Sequence, residues 1–254
     1  MKDLIKNIFN LANYMIIGTA VVLSAWIGSS AWKSAKIRPK ERSIKVTGSA
    51  KRRIVSDLIG WTSSITVKNH DRTTAYKELS ENRKKVLSWL QSRGVKEGDI
   101  SVSSVSFREK FEKQYEGTGD TRIEKNVFIG YITSQNITLY SREVKKIEKI
   151  SKEITSLLEQ GITIESYAPQ YYYTKIGELK LAMLAEASSD ARLRATNIVS
   201  KADNTELGRL KKANMGVINI NPANSTNVSW DGNNDTTSYE KDIFTIVHAE
   251  YFLK

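Results

Sequence analysis

Between residues 7 and 32 the chain carries no charged side chain, and this run limits what the rest of the molecule can do. As a helix, its apolar part, residues 11–32, would rise about 33 Å, against a hydrocarbon layer of about 30 Å. Leu11, Ile16, Ile17, Val21, Val22, Leu23 and Ile27 supply its apolar surface. Tyr14 stands near one end and Trp26 and Trp32 near the other, as interfacial aromatics do. The expectation is one transmembrane anchor over residues 1–32. A cleaved signal peptide is the competing reading, with Lys2 and Lys6 as a short basic start and Ser29-Ser30-Ala31 as a small-residue cleavage site. The run exceeds the usual apolar length of such a peptide, which favours retention.

The net charge of +11 sits beside this segment. Residues 33–53 hold nine cations and one carboxylate, so they supply +8, and residues 1–32 supply +1. Only +2 remains for residues 54–254. A nucleic-acid binder spreads cations over a face and interleaves them with aromatic platforms, so no nucleic-acid partner is expected. Lys33, Lys36, Arg38, Lys40 and Arg42 instead form a basic juxtamembrane linker, residues 33–42, suited to anionic headgroups at about 1 kcal/mol per residue. Counted alone, these five cations outweigh Lys2 and Lys6 and would place the following domain in the cytoplasm.

Residues 43–254 read as one α+β domain. Strands are expected at 43–50, where Thr47-Gly48-Ser49 suggests a turn, and at 54–68, where Trp61, Ser63, Ile65 and Val67 share a face. A helix over 70–93 carries the stripe Tyr76, Leu79, Val86, Leu87 and Leu90 and stops at Gly94. Strands 100–115 and 123–140 flank the turn-forming residues 116–120. A helix at 143–160 precedes a strand at 162–175. The long helix 177–203 is expected to bury Gly177, Leu181, Leu184, Ser188, Ala191, Ala195, Ile198 and Ala202. Such small residues would allow close approach to a sheet or to a second subunit. Strands at 210–220 and 243–253 enclose a polar loop, residues 221–240. The order β-β-α-β-β-α-β-α-β-β implies mostly antiparallel sheet with helices on one face.

Chemistry-bearing motifs are sparse. Cysteine is absent, which removes disulfides, thiolate metal sites and cysteine nucleophiles. No nucleophile elbow, phosphate loop or dinucleotide fingerprint is present. His70 and His248 have no neighbours suggesting a triad or a metal pair. Asp231, Asn233, Asp235 and Asp242 imitate calcium-loop spacing, but Thr236 replaces the needed glycine and Asp242 the long bidentate glutamate. A polar hairpin loop explains them without an ion. Neither a cofactor nor catalytic residues are expected. Tyr171, Tyr172 and Tyr173 alternate faces in a strand, which favours burial and one interface position over a stacking platform.

Several segments together resemble one family. Residues 44–50, Ile-Lys-Val-Thr-Gly-Ser-Ala, followed by Asp57, and the helix ending in Gly94-Val95 before Asp99-Ile100, are similar to the opening of SIMPL-domain proteins. Gly130-Tyr131 before Ile137-Thr138-Leu139, Ala191-Arg192 with Ala195 and Gly208-Arg209, and the closing Val247-His248-Ala249-Glu250-Tyr251 resemble its later parts in order. The chain departs at Ser56, where the family commonly has proline, and at Gln135 and Glu143. The resemblance implies a bacterial envelope protein in the cytoplasmic membrane with its domain on the periplasmic side, against the charge count. It also implies ring-like or channel-like homo-oligomers and a link to oxidative or envelope stress. The leading expectation is therefore a non-enzymatic, self-assembling membrane protein. One rival is an adaptor or chaperone-like module whose 221–240 loop holds a protein partner. A lesser one is an enzyme built from scattered carboxylates and tyrosines.

Overall fold

The computed structural model describes residues 2–36, 42–117, 122–202, 205–227 and 229–254. It is α+β, with two antiparallel sheets and a separate N-terminal helix. That helix, α1 (Lys2–Lys36), runs one turn past the expected anchor.

Strands β1 (Ser43–Val55) and β2 (Leu58–Asn69) follow, linked by Ser56 and Asp57. The turn expected at residues 47–49 is absent, and β1 runs straight through. Gly48 has a different use there. A Cβ on it would lie 2.7 Å from Ala191 Cα and would also strike Ala187 O and Ala191 N, so its hydrogen lets a helix lie directly on the strand. Ser56 N donates to Tyr239 O at 2.9 Å and Asp57 N to Tyr172 O at 2.9 Å, which fixes the crossing from one sheet to the other.

Helix α2 (Arg72–Ser92) starts two residues later than its periodicity suggests. Asp71 caps it by accepting from Thr74 N at 2.7 Å, leaving His70 outside. Ala75, Leu79, Asn82, Val86 and Leu90 face the sheet, whereas Tyr76 is about half exposed and stacks near Phe107. The expected strand 100–115 is two strands, β3 (Ile100–Val102) and β4 (Ser106–Glu116), with β5 (Ile123–Ser141) pairing both. Residues 118–121, which include most of the expected turn, lie outside the described residues. The next helix is α only over α3 (Val144–Glu153) and tightens to a 3-10 helix, Ile154–Gln160, before Gly161. The single strand expected at 162–175 is two short ones, β6 (Ile164–Ser166) and β7 (Gln170–Tyr172). Both pair with β2, β7 at its start (Leu58–Gly60) and β6 at its middle (Ser63–Ile65).

Helix α4 (Ile176–Ala202) buries Leu179, Met183, Ala187, Ala191, Ala195 and Val199. Of the expected stripe only Ala191 and Ala195 are in the core, while Leu181 is 72% and Ile198 50% exposed. The reason is proximity. A row of side chains four apart, small at its centre, brings α4 onto Gly48, and Leu181 or Ile198 facing the sheet would hold it away. Strands β8 (Leu207–Pro222) and β9 (Glu240–Leu253) complete the fold.

The sheet β1-β9-β8 is covered on one face by α4, with Ile54, Met183, Ile243 and Val247 in its core. The second sheet, in the order β3-β5-β2-β6 with β4 on β5 and β7 on β2, is covered by α2 and α3. Its core centres on Ile59, Trp61, Ile65, Leu79, Leu90, Ile137, Leu139 and Ile147.

Candidate functional site

Three surfaces that the domain leaves open, and one hollow between its sheets, are the places where this chain can meet something else. The first surface is α1. Residues Tyr14–Lys33 form a helix long and apolar enough to cross a membrane, with a mean hydropathy of 1.5 and no burial against the rest of the molecule. Tyr14, Ile16, Ile17, Val21, Val22, Leu23, Trp26, Ile27 and Trp32 are all more than half exposed. The side chains of Leu11 and Lys36, and residues Arg38 and Lys40 altogether, lie outside the described residues. Lys33 and Arg42 are exposed.

The basic cluster beyond the linker proves to be partly used by the fold. Lys51 and Arg53 both reach Asp242, at 3.1 Å and 2.8 Å, and Arg52 pairs with Glu186. These three cations belong to β1 and hold it to β9 and α4. The Arg53 guanidinium, with help from Asn224 N–H at 2.9 Å and Lys51, keeps the buried Asp242 carboxyl well below the usual carboxylate range.

The second surface is an arm. From Tyr131 onward β5 pairs with β2, but before Gly130 it pairs with β4 alone. Gly130 marks the departure. Its φ is 129°, and a Cβ there would sit 2.7 Å from Asn69 O, so the strand leaves β2 at the one residue that can twist off it. The opposite strand shifts register between Lys110 and Phe111. Beyond that point the two strands continue for six residue pairs, about 20 Å at roughly 3.3 Å per residue. They expose Phe111 at 52%, Tyr115 at 50% and Ile123 at 69%. A two-stranded ribbon is marginal in water by itself, and these side chains stand exposed among the charges of Lys110, Glu112, Lys113, Glu116, Glu124 and Lys125.

The third surface is the edge of β8 with the loop that follows. Residues 209–215 of β8 are exposed, Leu210 at 50% and Met215 at 71%, and β8 pairs only with β9 over them. In the loop the calcium-like set disperses. Asp242 turns to Arg53, while Asn233 Nδ2 donates to Asn221 Oδ1 at 2.7 Å. Asp235 Oδ1 accepts from Thr237 N at 2.9 Å, and these bonds outweigh burial to hold its carboxyl low. Among the described residues no three His, Asp or Glu side chains group as a metal site would. Lys241, 2% exposed, donates to Tyr171 O at 2.6 Å and to Asp235 O, tying loop, β7 and β9 together. Burial pushes its ammonium pKa down. Tyr171 is buried against Tyr239, and Tyr172 and Tyr173 are half-buried. Trp230, by contrast, is 92% exposed.

His248 shares a 3.0 Å hydrogen bond with Thr47 beside a shallow hollow of about 300 Å³ that Lys45, Lys212 and Glu250 also line. A larger hollow, about 580 Å³, lies where the β1–β2 link, the start of α3 and the β7–α4 link meet. Sequence reasoning singled out neither the arm, nor Trp230, nor this hollow. The recurrence of Phe107, Phe111 and Tyr115 four apart was the available signal for the arm.

None of the curated proteins compared with the chain matches it. A family model described as SIMPL, protein of unknown function (DUF541), matches residues 44–242, from the second residue of β1 to the third of β9. With that match spanning both sheets and all the helices between them, the chain belongs to the SIMPL family.

Proposed function

We propose that the protein is a non-enzymatic, single-pass protein of a bacterial cytoplasmic membrane, with its domain outside the cytoplasm, that self-assembles into a ring. The observation that carries this reading is the arm of residues 110–116 and 123–130, a ribbon that exposes Phe111, Tyr115 and Ile123 among charged residues and that no other element covers among the described residues. The β8 edge offers a matching receptor, since an unpaired strand accepts another strand by backbone hydrogen bonds. Arm to edge is a head-to-tail contact, and such contacts generate rings when the rotation closes. The alanine stripe of α4 plays no part, because it is spent against Gly48. In a ring the anchors and basic linkers of all copies meet one membrane patch, and their weak headgroup attractions act together.

The absence of an enzyme in this reading rests on carboxylate chemistry. Every carboxylate with a shifted pKa among the described residues, Asp57, Asp190 and Asp242 included, is shifted down. A general acid requires the opposite shift.

Because the chain has no cysteine, introduced pairs report without background. Ile123→Cys with Met215→Cys is expected to give an inter-chain ladder on oxidation in membranes; single monomers throughout would contradict the arm-to-edge contact. Trp230 supports a second reading, an adaptor whose loop holds a protein partner. Trp230→Ala would then abolish partner capture while leaving the ladder intact, whereas loss of the ladder would place Trp230 in assembly.

A further inference from the structure

The 580 Å³ hollow combines features that the assembly reading does not use. Helix α3 opens onto it, and Val144, Lys145 and Lys146 of its first turn line the wall. Glu143 at the cap position makes no side-chain capping bond. The first-turn N–H groups therefore lack intrahelical partners and present the positive end of the helix dipole. Ser56, in the opposite wall, is only 3% exposed, yet its hydroxyl has no hydrogen-bond partner. A buried hydroxyl left unpaired costs about 1–3 kcal/mol, so a small shift that opens this one to the hollow would give an anion an uncommitted donor.

Charge points the same way. Arg142, Lys145, Lys146 and Lys175 face Asp57 and Glu143 across the hollow. Both carboxylates are already engaged: Asp57 accepts from Thr174 N at 2.7 Å and from its hydroxyl at 2.6 Å, and Glu143 pairs with Lys146 at 2.9 Å. Lys145 stands 3.8 Å over the Tyr239 ring. Among the described residues neither the Arg142 nor the Lys175 side chain has an ion pair or hydrogen bond, apart from the through-space pull of Arg142 on Asp57. Free guanidinium, free ammonium, helix N-terminus and unpaired hydroxyl together match a tetrahedral oxyanion.

We propose that this hollow binds the phosphate group of a small soluble anion. Phosphate in a lipid headgroup shares the chemistry, but Ser56 lies thirteen residues along β1 from Ser43, about 43 Å at roughly 3.3 Å per residue, on the side away from the anchor. That separation favours a soluble source. Binding there joins both sheets, since Ser56 and Lys175 flank the crossing between them and α3 covers the second.

The test is titration of detergent-solubilised full-length protein with inorganic phosphate, followed by calorimetry or ³¹P NMR. Saturable one-site binding is expected, weakened at least tenfold in Arg142→Gln and in Lys175→Gln, and severalfold in Ser56→Ala. Lys113→Gln, on the arm, should leave it unchanged. Arg142 and Lys175 are exposed, so these variants should unfold at the wild-type temperature, which separates lost binding from lost fold. Non-saturating binding, or wild-type affinity in either charge variant, would overturn the proposal. In nanodiscs, phosphatidic acid should not compete with free phosphate; competition would assign the site to a headgroup and overturn the soluble source.

Discussion

Asp242 shows how one residue's partners set its role. It is 3% exposed and collects Arg53, Lys51 and Asn224 N–H, so it works as a structural anion between β9 and β1. Its depressed pKa makes its contribution complete above the ordinary aspartate value near 3.8 and lost progressively as pH falls below it. Asp242→Asn is expected to lower stability at neutral pH by about 1–3 kcal/mol, the range for hydrogen bonds to a charged group. It should also flatten the fall of melting temperature between about pH 4 and pH 2, because part of that fall is the titration of this carboxyl. A variant with the wild-type slope would show that the pairing seen here contributes nothing to acid sensitivity. The sequence could not reveal this role. Asp242 sits eleven residues after Asp231, a spacing that imitates a metal loop, while its true partners are about 190 residues away in β1.

At the scale of elements, the same contrast between near and far contacts decides which parts of the fold were legible. Helix α2 was readable because its stop at Gly94 and its apolar period are local, and its start was off by two residues because Asp71 captures Thr74 N. Strand β1 was misread as broken because Thr47-Gly48-Ser49 looks like a turn until α4 is laid over it. The stripe of α4 was misread in part for the complementary reason: spacings of three and four placed Leu181 and Ile198 beside Ala191 and Ala195, but backbone approach to Gly48 selected the row through Ala187, Ala191 and Ala195. Gly48→Ala should therefore cost about 1–3 kcal/mol, as overpacking does. For a domain of this size that corresponds to roughly 2–4 °C in melting temperature per kcal/mol, read by circular dichroism. An unchanged melting temperature would mean that α4 does not lie against Gly48. Of the candidate sites, the apolar helix was legible because the capacity to cross a membrane depends on composition over one continuous run. The hollow at α3 was not, since Ser56, Arg142 and Lys175 come together only through the crossing between the sheets.

For the whole molecule, the charge distribution has a double meaning. Much of the positive charge near the anchor lies in residues 33–42, but Lys51, Arg52 and Arg53 serve the domain itself. The basic stretch beside the apolar helix is therefore shorter than the nine cations of residues 33–53 suggest, while the orientation count, made on residues 33–42, is unaffected. What remains exposed is an apolar helix, an arm with three prominent apolar side chains and an open strand edge, three surfaces that a tethered, self-assembling protein would cover. The measurement that tests this most directly is the protein mass of the full-length chain in detergent at micromolar concentration. A discrete multiple of the chain mass is predicted, falling to a single chain in Phe111→Ser/Ile123→Ser. A wild-type protein that runs as one chain would contradict the account.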